Sequence, residues 1–441
     1  SFTMSTLASP RRRLCIIGGG PVGIETALAF ANGGAYHVTL LERGNTFASN
    51  VSNWGHVRLF SPWAYNMSTL GRTVLPTVPD ESVFPTGAEL RSQYLAHLWE
   101  HLNKHAHVEL RLNTTVIGLT RGTALKGDMA HRRGPFRVLS VTPNHDECLD
   151  EFDAVVDASG TYGNANRLGM GGLPALGERA MRQDPSVVYS LIPNVAAQIC
   201  KYGHGRTTCV IGTGHSAITT INALRKLATN KEATTKEEEK EKTSSVVRLL
   251  WATRRMDNLY KNIPNDPLPQ RVELNALGNA LCGAKEGTLA AEKGFEGFDA
   301  VHLGGVQLGA MRRVTTAAGV SRIELTFQPL HDGKEVQTVV VDEVVANVGF
   351  RPDMAMAREL QIHHCYATEG PMKLAAQLMA QGGGGGDCLA QTSGGAASLV
   401  CPEKDFLVLG MKSYGRSSTF LLKIGNEQVA HAMELLEGGV R

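Results

Sequence analysis

Two short glycine patterns carry most of the chemistry that can be read from this sequence. Gly18, Gly20 and Gly23 follow the apolar run Arg13-Leu14-Cys15-Ile16-Ile17 and open a helical stretch, Ile24 to Asn32, which Gly33 and Gly34 close. Gly212, Gly214 and Ala217 repeat the arrangement after Thr208-Cys209-Val210-Ile211, with a helix expected through Leu227. A strand that turns into a helix through glycine lets the backbone approach a pyrophosphate, and the positive helix end favours its charge. Pro21 and Val22 belong to the first loop, and Thr213, His215 and Ser216 to the second. His215 is expected to contact phosphate or the helix end, the alternative being a catalytic role.

The residues ending the next strand separate the two patterns. Val38 to Glu42 finishes on a carboxylate, followed by Arg43, about 20 residues after the loop, where a carboxylate accepts hydrogen bonds from an adenosine ribose. The corresponding strand of the second unit, Val246 to Ala252, runs into Thr253, Arg254 and Arg255. It has no carboxylate there, and two guanidiniums suit a 2′-phosphate. The second loop is therefore expected to take NADPH in preference to NADH, the alternative being that both arginines are surface cations.

These units must sit in a larger frame. The chain has 441 residues and a formal charge of +2, so it is long enough for two or three domains and lacks the field that gathers nucleic acid. No apolar run approaches the roughly 20 residues of a membrane helix. No apolar stretch with a small-residue cleavage site follows Arg11 to Arg13, so no signal peptide is expected and the location is expected to be cytoplasmic. The eight cysteines are dispersed and form no C-x-x-C pair, which predicts reduced thiols, no metal site and no adjacent dithiol. Two segments look like insertions: a Lys/Glu-rich stretch at 229–245, and a glycine-rich one near 381–396 containing Gly382 to Gly386. A strand at Phe406 to Leu409, a loop from Gly410 to Arg416 and a helix from Ser417 to Leu436 end the chain.

With both loops placed, the chain resembles the two-dinucleotide-binding-domain flavoproteins and, among them, the flavin-containing monooxygenases. Asp157-Ala158-Ser159-Gly160 and Ala346-Asn347-Val348-Gly349-Phe350-Arg351-Pro352 look like that group's crossings between domains. Gly214-His215-Ser216-Ala217 is similar to its G-x-S-A loop, and the stretch Trp54 through Tyr94 to its segment after the flavin strand. The resemblance implies an α/β fold of two Rossmann-like domains, with the NADPH domain inserted in the FAD domain. The expected parts are 1–160 and 349–441 for FAD and 161–348 for NAD(P)H. For FAD it implies Gly18, Gly20, Pro21, Val22, Gly23, Glu42, Arg43, Trp54, Val116, Ser159, Gly410 and Thr419.

The activity it implies is an NADPH-dependent monooxygenase that works through a flavin C4a-hydroperoxide on nitrogen or sulfur of a small molecule, with dioxygen as co-substrate. Trp54, His56, Arg58, Trp63 and Tyr65 form a candidate active-site wall. Arg58 and Lys412 are candidates for orienting substrate or nicotinamide, and Asn66 for the family's catalytic asparagine. The N-terminus of the last helix, at Ser417-Ser418-Thr419, is expected either to stabilise negative charge on reduced flavin or simply to be capped. Two departures stand beside the resemblance. The fingerprint F-x-G-x-x-x-H-x-x-x-(W/Y/F) is missing from 160–205, and Met411 follows Gly410 where the wider group often has aspartate. The alternatives are a flavin reductase or oxidase passing electrons to dioxygen, a quinone or a disulfide, and a non-catalytic flavin or NADPH sensor.

Overall fold

The computed structural model describes residues 11–128, 132–229, 246–289, 292–331, 335–381 and 393–438. Nearly all of the 229–245 stretch and the five-glycine run lie outside them. The chain divides into two compact units, one formed by residues up to Asn164 and from Phe350 on, the other by Ala165–Gly349. The second unit is thus an insertion in the first.

The first unit starts with β1 (Arg12–Ile17), helix α1 (Pro21–Gly33) and β2 (Tyr36–Leu41). Gly34 ends α1 in the left-handed conformation, its N–H on the Phe30 carbonyl, as the Gly33-Gly34 pair predicts. Helix α2 (Ala96–Asn103) and β3 (Val108–Arg111) follow, then the antiparallel strands β4 (Thr115–Arg121), β5 (Phe136–Val141) and β6 (Glu147–Phe152), and β7 (Ala154–Asp157).

The inserted unit contains β8 (Val187–Val188), β9 (Thr207–Ile211), α3 (His215–Thr229), β10 (Val247–Thr253), α4 (Pro269–Leu281) and β11 (Phe298–Gly304). An antiparallel trio, β12 (Val306–Thr315), β13 (Ser321–Pro329) and β14 (Gln337–Val341), precedes β15 (Glu343–Ala346). The chain then returns to the first unit with β16 (Phe406–Val408) and α5 (Leu422–Glu437).

Each unit is built on a five-stranded parallel sheet, ordered β16-β7-β1-β2-β3 in the first and β11-β10-β9-β15-β8 in the second. In both, the strand before the glycine loop is central. Continuous burial of Leu14–Ile17 and of Val155 and Val156 explains why these strands read as unbroken apolar runs rather than alternating ones. None of the described helices is long and apolar enough to cross a membrane.

One correction concerns the last helix. It begins at Leu422, not Ser417, because Gly410–Tyr414 form a 3₁₀ turn and Ser417 Oγ pairs with Thr419 Oγ1 at 2.9 Å. Gln428, wholly buried on α5, holds that turn: its Oε1 accepts from Gly410 N–H at 2.8 Å and its Nε2 donates to Ser413 Oγ at 2.9 Å.

Inside α1 lies a buried carboxyl, Glu25, which accepts from Ser68 Oγ at 2.7 Å and from the Tyr94 hydroxyl. Burial raises its pKa above the ordinary carboxylate value and outweighs these hydrogen bonds, which lower it. A raised folded-state pKa favours the protonated form, so this contribution to stability is full below the unfolded value and is lost as pH rises through the folded one. Denaturation midpoints measured across that window are expected to fall as pH rises, and Glu25→Gln to remove most of the fall. An unchanged slope in the variant would exclude Glu25 as its source.

Candidate functional site

The first glycine loop packs as its spacing requires. Gly18 has φ +105°, and a Cβ there would lie 2.7 Å from the Ala158 carbonyl oxygen, so the loop rests on the backbone leaving β7. A Cβ on Gly23 would collide with the Gly18 carbonyl oxygen, whereas one on Gly20 would meet nothing within 4 Å. Gly20 therefore faces open space at the start of α1, where Pro21 occupies the first turn and the free N–H groups of a helix end point outward.

That open space is a cleft of about 1090 Å³ including its mouth. Of the residues expected to hold FAD, Gly18, Gly20, Pro21, Val22, Glu42, Trp54, Ser159 and Gly410 line it. Glu42 is buried beside the loop, where Oε2 accepts from Gly19 N–H at 2.6 Å and Oε1 from Gly44 N–H at 2.7 Å. Phe420, Leu421 and Leu422 bring the start of α5 to the same cleft. A helix N-terminus does reach the site, but at Leu422, and Thr419 is not among the lining residues. Arg43 and Val116 are also absent from the lining; Val116 lies on β4, paired with Ser140.

The candidate catalytic residues separate. Asn66 lines the cleft, buried, with Oδ1 accepting from Ser61 Oγ at 2.8 Å and Nδ2 donating to the Ser61 and Pro62 carbonyls at 2.9 Å each. Arg58 is exposed and donates to the Phe84 carbonyl, while Trp63 is in the core, so the expected wall is not one surface. Lys412 is no free cation for a substrate. Its side chain is 1% exposed, its Nζ lies 2.6 Å from Asp157 Oδ2, itself fully buried, and it donates to Ser159 Oγ at 3.0 Å. Asp157 Oδ2 meets Nζ as an ion pair and accepts no aligned hydrogen bond, while Oδ1 accepts from Ser159 Oγ at 2.7 Å and Ser159 N–H at 3.1 Å.

Sequence reasoning missed Ser61 and Tyr162, both cleft-lining. No motif flags them; burial pushes the Tyr162 phenol up to about 12.

The second loop uses the same rules with different partners. Gly212, at φ +136°, presses on the Asn347 carbonyl after β15, and Gly214, like Gly20, has nothing within 4 Å of a Cβ. Thr213 sits between them, and α3 starts at His215, with Ala217 N–H on the Gly214 carbonyl at 3.0 Å and Ser216 accepting at its carbonyl from Thr220 Oγ1. His215 Nε2 lies 3.1 Å from Asn275 Oδ1 on α4, and burial lowers its pKa, so the ring is held neutral and adds no charge to a phosphate site. At the end of β10 the two arginines part. The Arg255 guanidinium turns back to the Leu259 carbonyl at 2.5 Å, whereas Arg254 is exposed and makes no hydrogen bond or ion pair among the described residues.

Both sites fit dinucleotides by this geometry: an open second glycine, a helix end, and a strand-end carboxylate in one unit against a free guanidinium in the other. Breaking the buried pair beneath the first site is expected to be costly. Lys412→Met leaves an uncompensated buried carboxylate and should destabilise the protein by about 3–5 kcal/mol in chemical denaturation. The double variant with Asp157→Asn should lose less than Lys412→Met alone, and equal losses would remove the pair from this account.

No protein-family model and no curated protein matches this chain in sequence. Solved structures do match in fold. Bacillithiol disulfide reductase from Bacillus cereus has a TM-score of 0.63 at 16% identity, over 96% of this chain and 98% of its own. Ornithine hydroxylase from Pseudomonas aeruginosa has 0.59 at 15%, over 98% and 100%. Thioredoxin reductase from T. acidophilum has 0.56 at 11%, over 98% and 100%. The chain has the two-Rossmann-domain fold of these structures.

Proposed function

We propose that this protein is an FAD- and NADPH-dependent oxidoreductase and, within that class, a monooxygenase acting on nitrogen or sulfur of a small molecule. The observation that carries the reading is the asymmetry between the two loops, since Glu42 lines the first cleft and Arg254 stands free beside the second. A bound flavin would supply hydride acceptance from NADPH and electron transfer to dioxygen or another acceptor.

The residues of the chain would do the rest. Gly20 and the start of α1 would receive the pyrophosphate, and Glu42 would exchange its Gly19 contact for ribose hydroxyls. Ser159, oriented by both Asp157 and Lys412, would present a fixed hydroxyl to the cofactor. Asn66, whose two amide N–H bonds are committed to the Ser61 and Pro62 carbonyls, would offer the remaining lone pair of Oδ1 as an acceptor without reorganising. Among the described residues no cysteine lines the cleft, which supports oxygen rather than disulfide as the electron acceptor.

The second reading is a reductase or oxidase that transfers electrons without oxygen insertion, and the fingerprint missing from 160–205 favours it. Measuring NADPH consumption over amines, sulfides and thiols in ¹⁸O₂, with peroxide in parallel, separates the two. The first reading expects label in the product in proportion to NADPH used. Full recovery of reducing equivalents as peroxide, or as reduced acceptor, would replace it by the second. For the nucleotide, Arg254→Ala is expected to raise KM for NADPH about tenfold, the loss of one charge-assisted contact of about 1.4 kcal/mol, while KM for NADH stays within twofold. Equal changes for both nucleotides would remove the 2′-phosphate assignment.

A further inference from the structure

Behind Arg254 lies a set of hydrogen bonds that neither glycine loop explains. Thr253, the last residue of β10, is buried at 2% exposure, and its Oγ1 donates to the Arg255 carbonyl at 2.6 Å. Because that proton is committed, Oγ1 must accept from its other neighbour, His302 Nε2 at 2.8 Å. His302 Nδ1 lies 2.9 Å from the Gly283 N–H, which can only donate. The tautomer is therefore fixed, with Nδ1 accepting and Nε2 carrying the proton. The relay runs in one direction: Gly283 N–H to His302, His302 to Thr253, Thr253 to the carbonyl of Arg255.

Three further contacts tie the relay to its surroundings. His302 N–H donates to the Ala284 carbonyl at 2.9 Å, so the turn after α4 is bound to β11 by both backbone and ring. Cys282 Sγ donates to the Met256 carbonyl at 3.3 Å and joins the same turn to the arginine loop. The His302 ring also packs on Trp251 at 4.8 Å between centroids, and the Trp251 indole N–H donates to the Gly212 carbonyl at 2.8 Å. With Arg255 latched to Leu259, the backbone on both sides of Arg254 is held while its own side chain is left exposed. A second depression is lined by Met256, Gly283, Lys285, His302 and Gly304 among others, so the relay forms part of its wall.

We infer that the Gly283–His302–Thr253 relay is a positioning device for Arg254 and sets the preference of this unit for a 2′-phosphorylated adenosine. The inference rests on the NADPH reading of the second loop. His302 and Thr253 do not touch the phosphate; they fix the strand end from which Arg254 reaches it. Without the relay the guanidinium keeps its charge and loses its direction, so binding of the 2′-phosphate weakens while binding of the adenosine does not.

The probes are 2′,5′-ADP and 5′-AMP, titrated calorimetrically into the full-length protein, so that no turnover is needed. Wild type is expected to prefer 2′,5′-ADP. Thr253→Val, which keeps shape and removes the hydroxyl, and His302→Asn, which can keep the Gly283 contact but not the donor to Thr253, should each reduce that preference five- to twentyfold with 5′-AMP affinity within twofold. Thr253→Ser should retain it. A variant that fails to fold loses 5′-AMP binding as well, and the Val/Ser comparison then decides on thermally matched samples. If Arg254→Ala abolishes the preference but Thr253→Val and His302→Asn leave it intact, the relay is not a positioning device while the NADPH reading stands. If wild type shows no preference, or Arg254→Ala does not change it, the NADPH reading fails and takes the inference with it.

Discussion

The first site depends on an ion pair that water does not reach. Asp157 ends β7 and Lys412 lies in the turn after β16, and their charges meet at 2.6 Å with side-chain exposures of 0% and 1%. Burying two charges costs several kcal/mol each, and only good geometry with further hydrogen bonds offsets that cost. Here the further bonds converge on Ser159, which accepts from Lys412 and donates to Asp157. The pair thus joins two strand ends and fixes one hydroxyl at the edge of the cleft. A hydrophobic pair of similar volume would join the strands as well, but would leave Ser159 free to rotate. The arrangement fits a site whose polar groups are set before the ligand arrives.

The two glycine loops solve one packing problem in two ways. In each, the first glycine is pressed against backbone leaving a neighbouring strand, at Ala158 in one unit and Asn347 in the other. They differ at the third position. The Gly18 carbonyl oxygen occupies the space a Cβ at position 23 would need, so only glycine fits there. The Gly212 carbonyl instead accepts from the Trp251 indole N–H, and Ala217 is tolerated, fully buried. The second loop is thereby hydrogen-bonded to a tryptophan on β10, 39 positions away.

This contact shows where the sequence was legible and where it was not. Strand, loop, helix and strand-end charge lie within short windows and obey local rules. The cores of both Rossmann units and the placement of Gly20, Glu42 and Arg254 could therefore be read with boundaries shifted by one to three residues. The start of α5 was misread by five residues because Ser417-Ser418-Thr419 has the composition of a helix cap, while the cap in place is Leu421, which has no capping side chain. Its start is set instead by Gln428 pulling Gly410–Tyr414 into a separate turn, a contact spanning 18 residues. The partners of Lys412 and Arg255 were not legible for the same reason. A cation's partner decides whether it is free, and Asp157 is 255 positions from Lys412 in the chain.

The same reasoning separates residue type from role throughout the molecule. Two adjacent arginines look equivalent in sequence, yet Arg255 spends its guanidinium on the Leu259 carbonyl and Arg254 does not. A lysine and an arginine looked like substrate-orienting groups, yet one neutralises a buried aspartate and the other binds the Phe84 carbonyl at the surface. Asn66, by contrast, carries no charge to attract notice but is the candidate that is both buried and part of the cleft lining. Chemistry at such a site follows from what each polar group has left over after the fold has used it. By that measure the groups with capacity to spare include the Trp54 indole N–H, one lone pair of Asn66 Oδ1, the Tyr162 phenol and the Glu42 carboxylate in the first unit, and Arg254 in the second.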